Sequence, residues 1–305
     1  MQTTRRSFLK KTSVALAGAA VLPSGIFAAV KKPAILGIQL YSVRDDMKKD
    51  PLGTLKQLSA MGYKYVEHAN YVNRQFYGYP ATEFKKILND LGLAMRSGHT
   101  GLNGTHWDAA KKDFTDAWKY TIADAATLDQ QYVISPSMDT AWHKTYDDLR
   151  RALELFNKSG ELCKKNGLKF GYHNHSIEFS TTLGGRKLYD IILTETDPSL
   201  VAQQIDIGNM YNAGAHADDI MRRYPGRFEL MHVKDETKAA FVKEGGDLYE
   251  STVLGKGVVG TKSIVDLARQ SGGTTDFIIE QESYQGKTPI DCAREDWTIM
   301  KAWGY

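Results

Sequence analysis

Cysteine is scarce in this chain, and its scarcity excludes several kinds of site. The 305 residues include two cysteines, Cys163 and Cys292. Two cysteines supply neither a disulfide framework nor a cysteine-based zinc site, so both are expected to be small buried side chains. The phosphate-binding pattern Gly-x-Gly-x-x-Gly is also missing after the first apolar run, where Gln39, Leu40 and Tyr41 stand. This absence argues against a dinucleotide-binding open sheet.

Long hydrophobic runs are missing as well, and one modest run lies near the N-terminus. It covers residues 14–27, is interrupted by glycine and proline, and falls short of the about 20 apolar residues that a transmembrane helix needs. Arg5-Arg6 followed by Ser-Phe-Leu-Lys precedes it, and two alanines follow. This pattern resembles a twin-arginine signal peptide over residues 1–29. We therefore expect export to the periplasm by that route, no stable membrane span after cleavage, and a domain formed by residues 30–305.

An excess of positive charge is absent from the part that follows the predicted signal. The whole chain has a formal net charge of +3, and residues 1–29 contain four basic residues and no acid, which leaves −1 for residues 30–305. A nucleic-acid-binding protein needs a basic surface that neutralises phosphates. The charge balance therefore argues against nucleic acid as a partner.

The chain does contain a regular alternation of short apolar runs and longer segments with helical spacing. Between the apolar runs, leucines recur every three or four positions, and several of these segments end in glycine, as helices often do. Strict alternation of strands and helices predicts a parallel sheet, and eight units in about 275 residues predict an α/β fold, a single-domain (β/α)8 TIM barrel. The predicted strands are 35–41, 63–67, 94–99, 132–135, 169–173, 201–206, 228–233 and 277–280.

Titratable and polar side chains recur where the predicted strands end. In a (β/α)8 barrel the carboxyl ends of the strands form the active-site face. Carboxylates are rarely buried without partners, so their recurrence at one end of successive strands indicates a shared site. These strand-end residues are Gln39, Tyr41, Glu67, His68, His99, Ser135, His173, His175, Asp206, His232, Lys234, Glu280 and Glu282.

Asp206, His232 and Glu280 end the sixth, seventh and eighth predicted strands. Two carboxylates and an imidazole suit one divalent ion, Mn²⁺, Zn²⁺, Co²⁺ or Mg²⁺, with coordination positions left for substrate. The alternative is a set of structural ion pairs that caps the barrel.

Four short motifs carry a resemblance to a known family. Asp206-Ile-Gly-Asn, His232-Val-Lys-Asp and Ile279-Glu280, with Leu254-Gly-Lys-Gly before the last strand, resemble the xylose-isomerase-like TIM barrels. That superfamily contains sugar phosphate isomerases and epimerases, inosose dehydratases and the type-IV AP endonucleases. The resemblance implies one metal ion held by side chains from strands five to eight, with Asp206, His232 and Glu280 as three of the ligands.

The fourth ligand position departs from the family pattern. Many relatives have Glu-Asn-His at the end of strand five, whereas this chain has His173-Asn174-His175, so the resemblance places His173 at the ligand position. Strand alternation turns His173 and His175 to the same side. Glu178, on the following loop, is the alternative fourth ligand. In two-carboxylate epimerases opposed glutamates exchange the proton, and here only Glu280 keeps that role by position.

The resemblance implies proton abstraction next to the carbonyl of a sugar. The expected function is a divalent-metal-dependent sugar or keto-sugar isomerase or epimerase acting through an enediolate. The alternative is a metal-dependent lyase or dehydratase that performs β-elimination on keto-glycosides or inosose-like substrates, and a non-catalytic sugar-binding barrel is a third interpretation. The expected catalytic residues are Glu280, Glu178, Lys234 and His99, and the expected substrate-binding residues are Glu67, Trp107, His175 and Gln39.

Two further expectations concern Lys234 and the partner. Lys234 either stabilises a developing enolate or forms an outward ion pair with Asp235. DNA repair is disfavoured because Asn209 stands where the AP endonucleases carry a second histidine. The expected partner is therefore a small-molecule sugar or keto-sugar, and the sequence does not indicate an oligomeric state.

Overall fold

Parallel strands form the centre of the molecule, and helices follow them along the chain. The computed structural model describes residues 34–242, 246–271 and 273–305. The signal peptide predicted for residues 1–29 lies outside the described residues and stays a prediction. The barrel strands are β1 (Ile35–Gln39), β2 (Tyr65–His68), β3 (Ala94–His99), β4 (Tyr132–Ser135), β5 (Lys169–His173), β6 (Val201–Asp206), β7 (Phe228–Val233) and β8 (Asp276–Ile279).

The eight strands close into one barrel. They pair in parallel in the order β1-β8-β7-β6-β5-β4-β3-β2, and β1 pairs with β2 to close the ring. The register sets Gln39 beside Glu67 and Asp206 beside His232. The predicted (β/α)8 barrel is confirmed, and each predicted strand boundary lies within two residues of the observed one.

Helices and short ribbons occupy the connections between strands. Ribbons lie in four of the loops that follow strand ends: Tyr71–Val72 with Gln75–Phe76 and Tyr79–Pro80, Trp107–Asp108 with Asp113–Phe114, Thr182–Leu183 with Arg186–Lys187, and Asp235–Lys238 with Tyr249–Thr252. Among the described helices, none combines the length and the apolar sequence needed to cross a membrane. The helices are α1 (Arg44–Lys49), α2 (Pro51–Met61), α3 (Ala81–Asp90), α4 (Asp116–Thr127), α5 (Tyr146–Lys165), α6 (Ile177–Ser180), α7 (Leu188–Glu195), α8 (Ile207–Asn212), α9 (Ala217–Arg223), α10 (Thr261–Gln270) and α11 (Pro289–Ala302).

Helix α5 shows how the sequence builds the outer layer. The Thr145 side chain accepts the Asp148 N–H at the helix start, and lysines in the last turn face the negative end of the helix dipole. Leu149, Leu153 and Phe156 recur at helical spacing and are fully buried against the barrel. Each such side chain contributes roughly 1.5–3 kcal/mol of burial free energy. The apolar side chains whose spacing predicted this helix are therefore the ones that pack it against the barrel.

The interior of the barrel is layered in steps of two residues. Ile134, Ala202, Leu230 and Ile278 form a separate apolar cluster inside the ring. A Cβ at Gly171 would lie 2.4 Å from the Ile134 side chain, so glycine is needed for this packing. Two residues after Ala202, Leu230 and Ile278 the inward side chains are polar, because alternate residues of a strand share a face. They are Gln204, His232 and Glu280. The apolar cluster is thus the floor of the polar site.

Helix α11 carries a buried carboxylate outside that site. Asp296 is 1 % exposed, and one of its oxygens accepts the Leu254 N–H at 2.9 Å. Burial raises the pKa of Asp296 to about 7, because this hydrogen bond offsets only part of the desolvation. The charges around it are those of Glu295, Lys256 and Asp235. The folded protein therefore favours the protonated acid.

We expect Asp296→Asn to stabilise the protein more as pH rises. The Asp296 carboxyl has a pKa of about 7 in the folded protein and near 3.8 in the unfolded chain. The free energy of unfolding of the wild type therefore falls as pH rises between these two values, and it does not recover at higher pH. Asparagine keeps an oxygen for Leu254 and carries no charge to bury. Thermal melts from about pH 5 to about pH 8 should show a growing advantage for the variant. Glu154→Gln, at an exposed position on α5, is the control; a pH-independent difference for Asp296→Asn would contradict the assignment.

Candidate active site

Three carboxylates and one ammonium are buried together at the C-terminal end of the barrel. Glu67 is 1 % exposed, Asp206 0 % and Glu280 6 %, and Lys234 is 2 % exposed. An unpaired ion in a protein interior costs several kcal/mol. Burial alone would lower the pKa of the adjacent His232, but Glu280 and Glu67 raise it well above its usual value. With His232 protonated, the three carboxylates still outnumber the two cations by one. A further positive charge would therefore stabilise the site.

Asp206, His232 and Glu280 surround one point in this cluster. His232 Nδ1 lies 3.1 Å from Glu280 Oε2 and 3.8 Å from Asp206 Oδ2. Asp206 Oδ1 accepts the Asn209 N–H at 2.8 Å, but the buried Oδ2 has no hydrogen-bond partner among the described residues. The three potential ligand atoms lie within 4.8 Å of one another. An unpartnered buried oxygen, an imidazole and a second carboxylate fit a divalent ion.

His173 is placed to be the fourth ligand. Its Nε2 lies 3.8 Å from Asp206 Oδ2, and its Nδ1 lies 3.0 Å from Gln204 Oε1. Burial lowers the pKa of His173 well below its usual value, and the neighbouring His232 and His99 lower it further. The neutral ring that donates Nδ1–H to Gln204 turns the Nε2 lone pair toward Asp206. That is the form in which histidine binds a metal.

Glu178, the alternative fourth ligand, is engaged elsewhere. Its carboxylate accepts hydrogen bonds from the Tyr172 hydroxyl and from the His175 N–H, the latter at 2.8 Å. Tyr172 neighbours His173 on β5 and therefore points to the other side of the strand. Burial raises the pKa of Glu178. The described residues do not bring this carboxylate into the cluster of potential ligands.

Glu67 and Gln204 form a layer beneath the ligands. Glu67 Oε1 accepts from His232 Nε2 and from Gln39 Nε2, each at 2.7 Å. Its Oε2 accepts from Gln204 Nε2 at 2.8 Å and from the Ser97 hydroxyl. Glu67 and Gln39, expected to bind substrate, thus contact protein groups instead and do not line the cleft described below. Such carboxylates fix the tautomer and orientation of a ligating histidine.

Glu67 is held as an anion. Burial alone would raise the pKa of Glu67, but the charges of His99 and His232, with hydrogen bonds from His232 and Ser97, lower it to about 2. An ionised Glu67 accepts the Nε2–H of His232 and leaves Nδ1 facing Asp206 and Glu280. The second layer therefore presents the nitrogen that a metal needs.

A second group of potential ligands overlaps the first. Nitrogens of His99, His173 and His232 also lie within 4.8 Å of one another. However, His99 Nε2 already lies 2.7 Å from Gln204 Oε1 and 3.2 Å from Glu67 Oε1. The group with the carboxylates suits a divalent ion better, because it brings negative charge and includes Asp206 Oδ2, which has no hydrogen bond among the described residues.

Lys234 lies inside the site and not in an outward pair with Asp235. Its Nζ is 3.2 Å from Glu280 Oε2 and also contacts Glu282. Burial alone would lower the pKa of Lys234, but Asp206, Glu280 and Glu282 raise it well above its usual value. A Cβ at Gly208 would lie 2.7 Å from the Lys234 side chain, so the glycine of Asp-Ile-Gly-Asn makes room for the lysine.

Asp235 organises the loop that precedes α10. Its carboxylate accepts backbone N–H groups of Gly255 at 2.8 Å, Gly257 at 3.2 Å and Val259 at 3.2 Å. The Leu254-Gly-Lys-Gly motif therefore has a structural role here: its amides bind the residue after Lys234 and fix the position of that lysine.

A cleft of about 750 Å³ opens above the ligands. On one side its lining includes His99, His173, His175, Glu280 and Glu282, and on the other it includes Tyr71, Arg74, His106 and Tyr120. Trp107 is not part of this lining; its ring packs against Phe114 with the centroids 5.1 Å apart. Of the expected substrate-binding residues, His175 is the one that reaches the cleft.

Comparisons with known proteins identify the family of this chain. A sequence profile of the xylose isomerase-like TIM barrel family matches residues 55–303. The chain belongs to that family. The chain is 24 % identical over 192 residues to the inosose dehydratase of Bacillus licheniformis, and the alignment covers 57 % of this chain and 63 % of that enzyme, less than two thirds of its length.

Solved structures of the family show the same barrel. A sugar phosphate isomerase/epimerase from Parabacteroides distasonis matches with a TM-score of 0.75 and 25 % identity, over 90 % of this chain and 96 % of that one. A xylose isomerase-like TIM barrel protein from Mycobacterium smegmatis, in complex with magnesium, has a TM-score of 0.61 and 17 % identity, over 89 % and 96 % of the two chains. At that identity the likeness concerns the fold.

Gln204 is the site residue that sequence reasoning missed. It joins Glu67, His99 and His173 through three hydrogen bonds. It stands two positions before Asp206 on β6, so strand alternation places both on the inner face. Counting back from Asp206 in steps of two would have found it.

We expect Glu67→Gln to weaken metal binding without unfolding the barrel. Glutamine removes the charge that orients His232, and loss of such a supporting group typically lowers metal affinity by about 10–100-fold. Chelator competition would measure the affinity, and Glu83→Gln, at an exposed position on α3, is the control. Unchanged affinity in Glu67→Gln would show that His232 needs no carboxylate beneath it.

Proposed function

We propose that this chain is a divalent-metal-dependent enzyme that isomerises or epimerises a sugar or keto-sugar by removing a proton next to its carbonyl. The observation that carries the proposal is the buried trio Asp206, His232 and Glu280, with its excess negative charge and an unpartnered Asp206 oxygen facing the imidazole. Family membership and similarity to a protein named a sugar phosphate isomerase/epimerase support it.

Asp206, His232, Glu280 and His173 would hold the ion, which is Mn²⁺, Zn²⁺, Co²⁺ or Mg²⁺. When bound, it supplies Lewis acidity that polarises the substrate carbonyl. Glu280, at the edge of the cleft, accepts the proton from the neighbouring carbon. The Lys234 ammonium, 3.2 Å from Glu280, places a fixed positive charge beside the oxygen on which negative charge develops. His99, which also lines the cleft, is the second proton carrier.

A dehydratase is the second candidate, favoured by the similarity to an inosose dehydratase. Proton removal next to a carbonyl is the first step of both reactions. They differ afterwards, because an isomerase returns the proton whereas a dehydratase expels a hydroxyl from the next carbon. The same residues serve both reactions, with His99 donating a proton to the departing hydroxyl. A loss of water from the substrate, measured by mass spectrometry, distinguishes the dehydratase.

Elemental analysis tests the metal site. We expect one divalent ion per chain in the wild type and its loss in Asp206→Asn, which keeps an oxygen for the Asn209 N–H but removes the charge. His173→Ala should weaken metal binding by about tenfold or more. Glu178→Gln is the matched control and should retain the ion. Loss of metal in Glu178→Gln with retention in His173→Ala would exchange the roles assigned to these two residues.

Solvent-deuterium exchange tests the chemistry. Metal-loaded protein in deuterium oxide should place deuterium next to the carbonyl of a keto-sugar, seen by NMR. Glu280→Gln should lower the exchange rate by about 100-fold or more, since a general base contributes that much. Glu250→Gln, outside the ligand set, serves as the control. Exchange that persists in Glu280→Gln would assign the base to another residue, and no exchange with any keto-sugar would refute the proposed reaction.

A further inference from the structure

The cleft continues into a second cavity that the proposed reaction does not use. This cavity has a volume of about 460 Å³, and Tyr41, Ala69 and Asn70 line both spaces. Pockets for small molecules measure roughly 300–1,000 Å³, so each space is large enough for a ring. Tyr77 and Met47 give the second cavity apolar surface, beside polar side chains on α1.

We propose that the second cavity binds a second ring of the substrate, the second sugar or the aglycone of a neutral glycoside, while the ring that reacts lies beside Glu280. This inference rests on the proposed function, because it extends the same cleft. Because Tyr41 lines both spaces, a ligand in one space would lie close to a ligand in the other. A glycosidic bond is a linkage short enough to join them.

Tyr41 is held in place for such a contact. Its ring is 42 % exposed, and the Arg44 guanidinium lies 4.7 Å from the ring centroid. Arg44 donates to the Tyr284 hydroxyl at 2.8 Å and to the backbone oxygens of Tyr41 at 3.2 Å and Glu282 at 3.1 Å. An aromatic ring combines apolar surface with a polar edge, which suits the C–H face and hydroxyls of a sugar. Because Arg44 restrains it, little side-chain freedom is lost on binding.

The charges around the two spaces favour a neutral ligand. Arg74, in the cleft wall, is bound to Asp124 by two hydrogen bonds of 3.0 and 2.8 Å and lies 4.3 Å from the Tyr120 ring centroid. Its charge is therefore already paired. Phosphate groups are usually recognised by arginine forks or clustered amides, and the cleft edge carries the acids Glu280 and Glu282 instead.

The second cavity has charged side chains of both signs in its lining. Arg44, Lys48 and Asp45 line it, so two cations and one anion are present there. The donors of Arg44 are directed at protein oxygens. Hydroxyl groups can bond to either sign of charge, whereas a phosphate would meet Asp45. The described lining thus offers groups of both signs to the hydroxyls of a sugar, and its anion disfavours a phosphate.

Calorimetric titration of the metal-loaded protein tests the inference with matched sugars. The pairs are fructose with the keto-disaccharide lactulose, and glucose with cellobiose; fructose 6-phosphate tests for charge. At least one disaccharide should bind about tenfold more tightly than its monosaccharide, as an added aromatic contact with a pre-positioned ring allows. Fructose 6-phosphate should bind no more tightly than fructose.

Two variants locate the second ring. Tyr41→Ala removes the shared wall, and Asn70→Trp fills the junction from an exposed position. Each should reduce the preference for disaccharide over monosaccharide by about fivefold or more, a ratio that a general loss of folding would not change. Tyr146→Ala removes a tyrosine of similar exposure, 39 %, outside both cavities and should keep the preference.

The outcomes separate this inference from the proposed function. Equal affinities within both pairs, or a preference that survives both variants, would overturn the second-ring site. Tighter binding of fructose 6-phosphate than of either disaccharide would overturn the neutral class. Deuterium exchange into fructose without a gain for lactulose would refute the second-ring site alone. Disaccharide preference without exchange into any sugar would refute the proposed reaction alone.

Discussion

Repulsion among three buried carboxylates is the constraint on which the rest of the site depends. Two like charges about 4 Å apart repel by about 4 kcal/mol at the effective dielectric constant of a protein. The Lys234 ammonium offsets part of this repulsion by its ion pairs with Glu280 and Asp206. Hydrogen bonds from Gln204 and Gln39 stabilise the charge of Glu67. Asp206 Oδ2, 3.7 Å from the Lys234 Nζ, is left without a hydrogen bond among the described residues. A cation that binds here would reduce the repulsion among the carboxylates. The excess negative charge of the site therefore favours metal binding.

The barrel makes this arrangement tolerable because its interior is layered. Ile134, Ala202, Leu230 and Ile278 close the floor against water. The Glu67–Gln204 layer stands on this floor, and the potential metal ligands stand above it. Strands hold these layers more rigidly than loops would, which keeps a site within the narrow geometric tolerance that catalysis requires. The connections after the strands supply the cleft wall that includes Tyr41 and Arg74.

The sequence predicted those parts of the protein that depend on local periodicity. Strand boundaries, the barrel and the inward position of Asp206, His232 and Glu280 follow from alternation and strand order. The partners of these residues do not follow from it: Glu67 meets His232 across 165 positions of sequence, so its role beneath the histidine was invisible. Glu178, the alternative for the metal position, lies on the short helix α6 after the strand, where strand alternation does not fix the direction of a side chain, and its carboxylate accepts from Tyr172. Trp107 also follows a strand end, where alternation does not fix the direction of a side chain, and it does not line the cleft.

The histidine at position 173 bears on the type of reaction as well as on the metal. As a ligand in place of the glutamate expected from the family resemblance, a neutral imidazole would lower the negative charge of the ligand set by one and would suit Mn²⁺, Zn²⁺ or Co²⁺ better than Mg²⁺. It would also leave one carboxylate where that resemblance leads us to expect two opposed ones. Of the two carboxylates in the proposed ligand set, Glu280 is the one that lines the cleft, and Lys234 keeps it ionised. Glu280 beside the Lys234 charge would serve chemistry in which a proton leaves and returns on one face, or leaves together with a hydroxyl that His99 protonates. Epimerisation would in addition require His99 to deliver a proton to the opposite face, so among the proposed reactions it is the one that depends most on the position of His99.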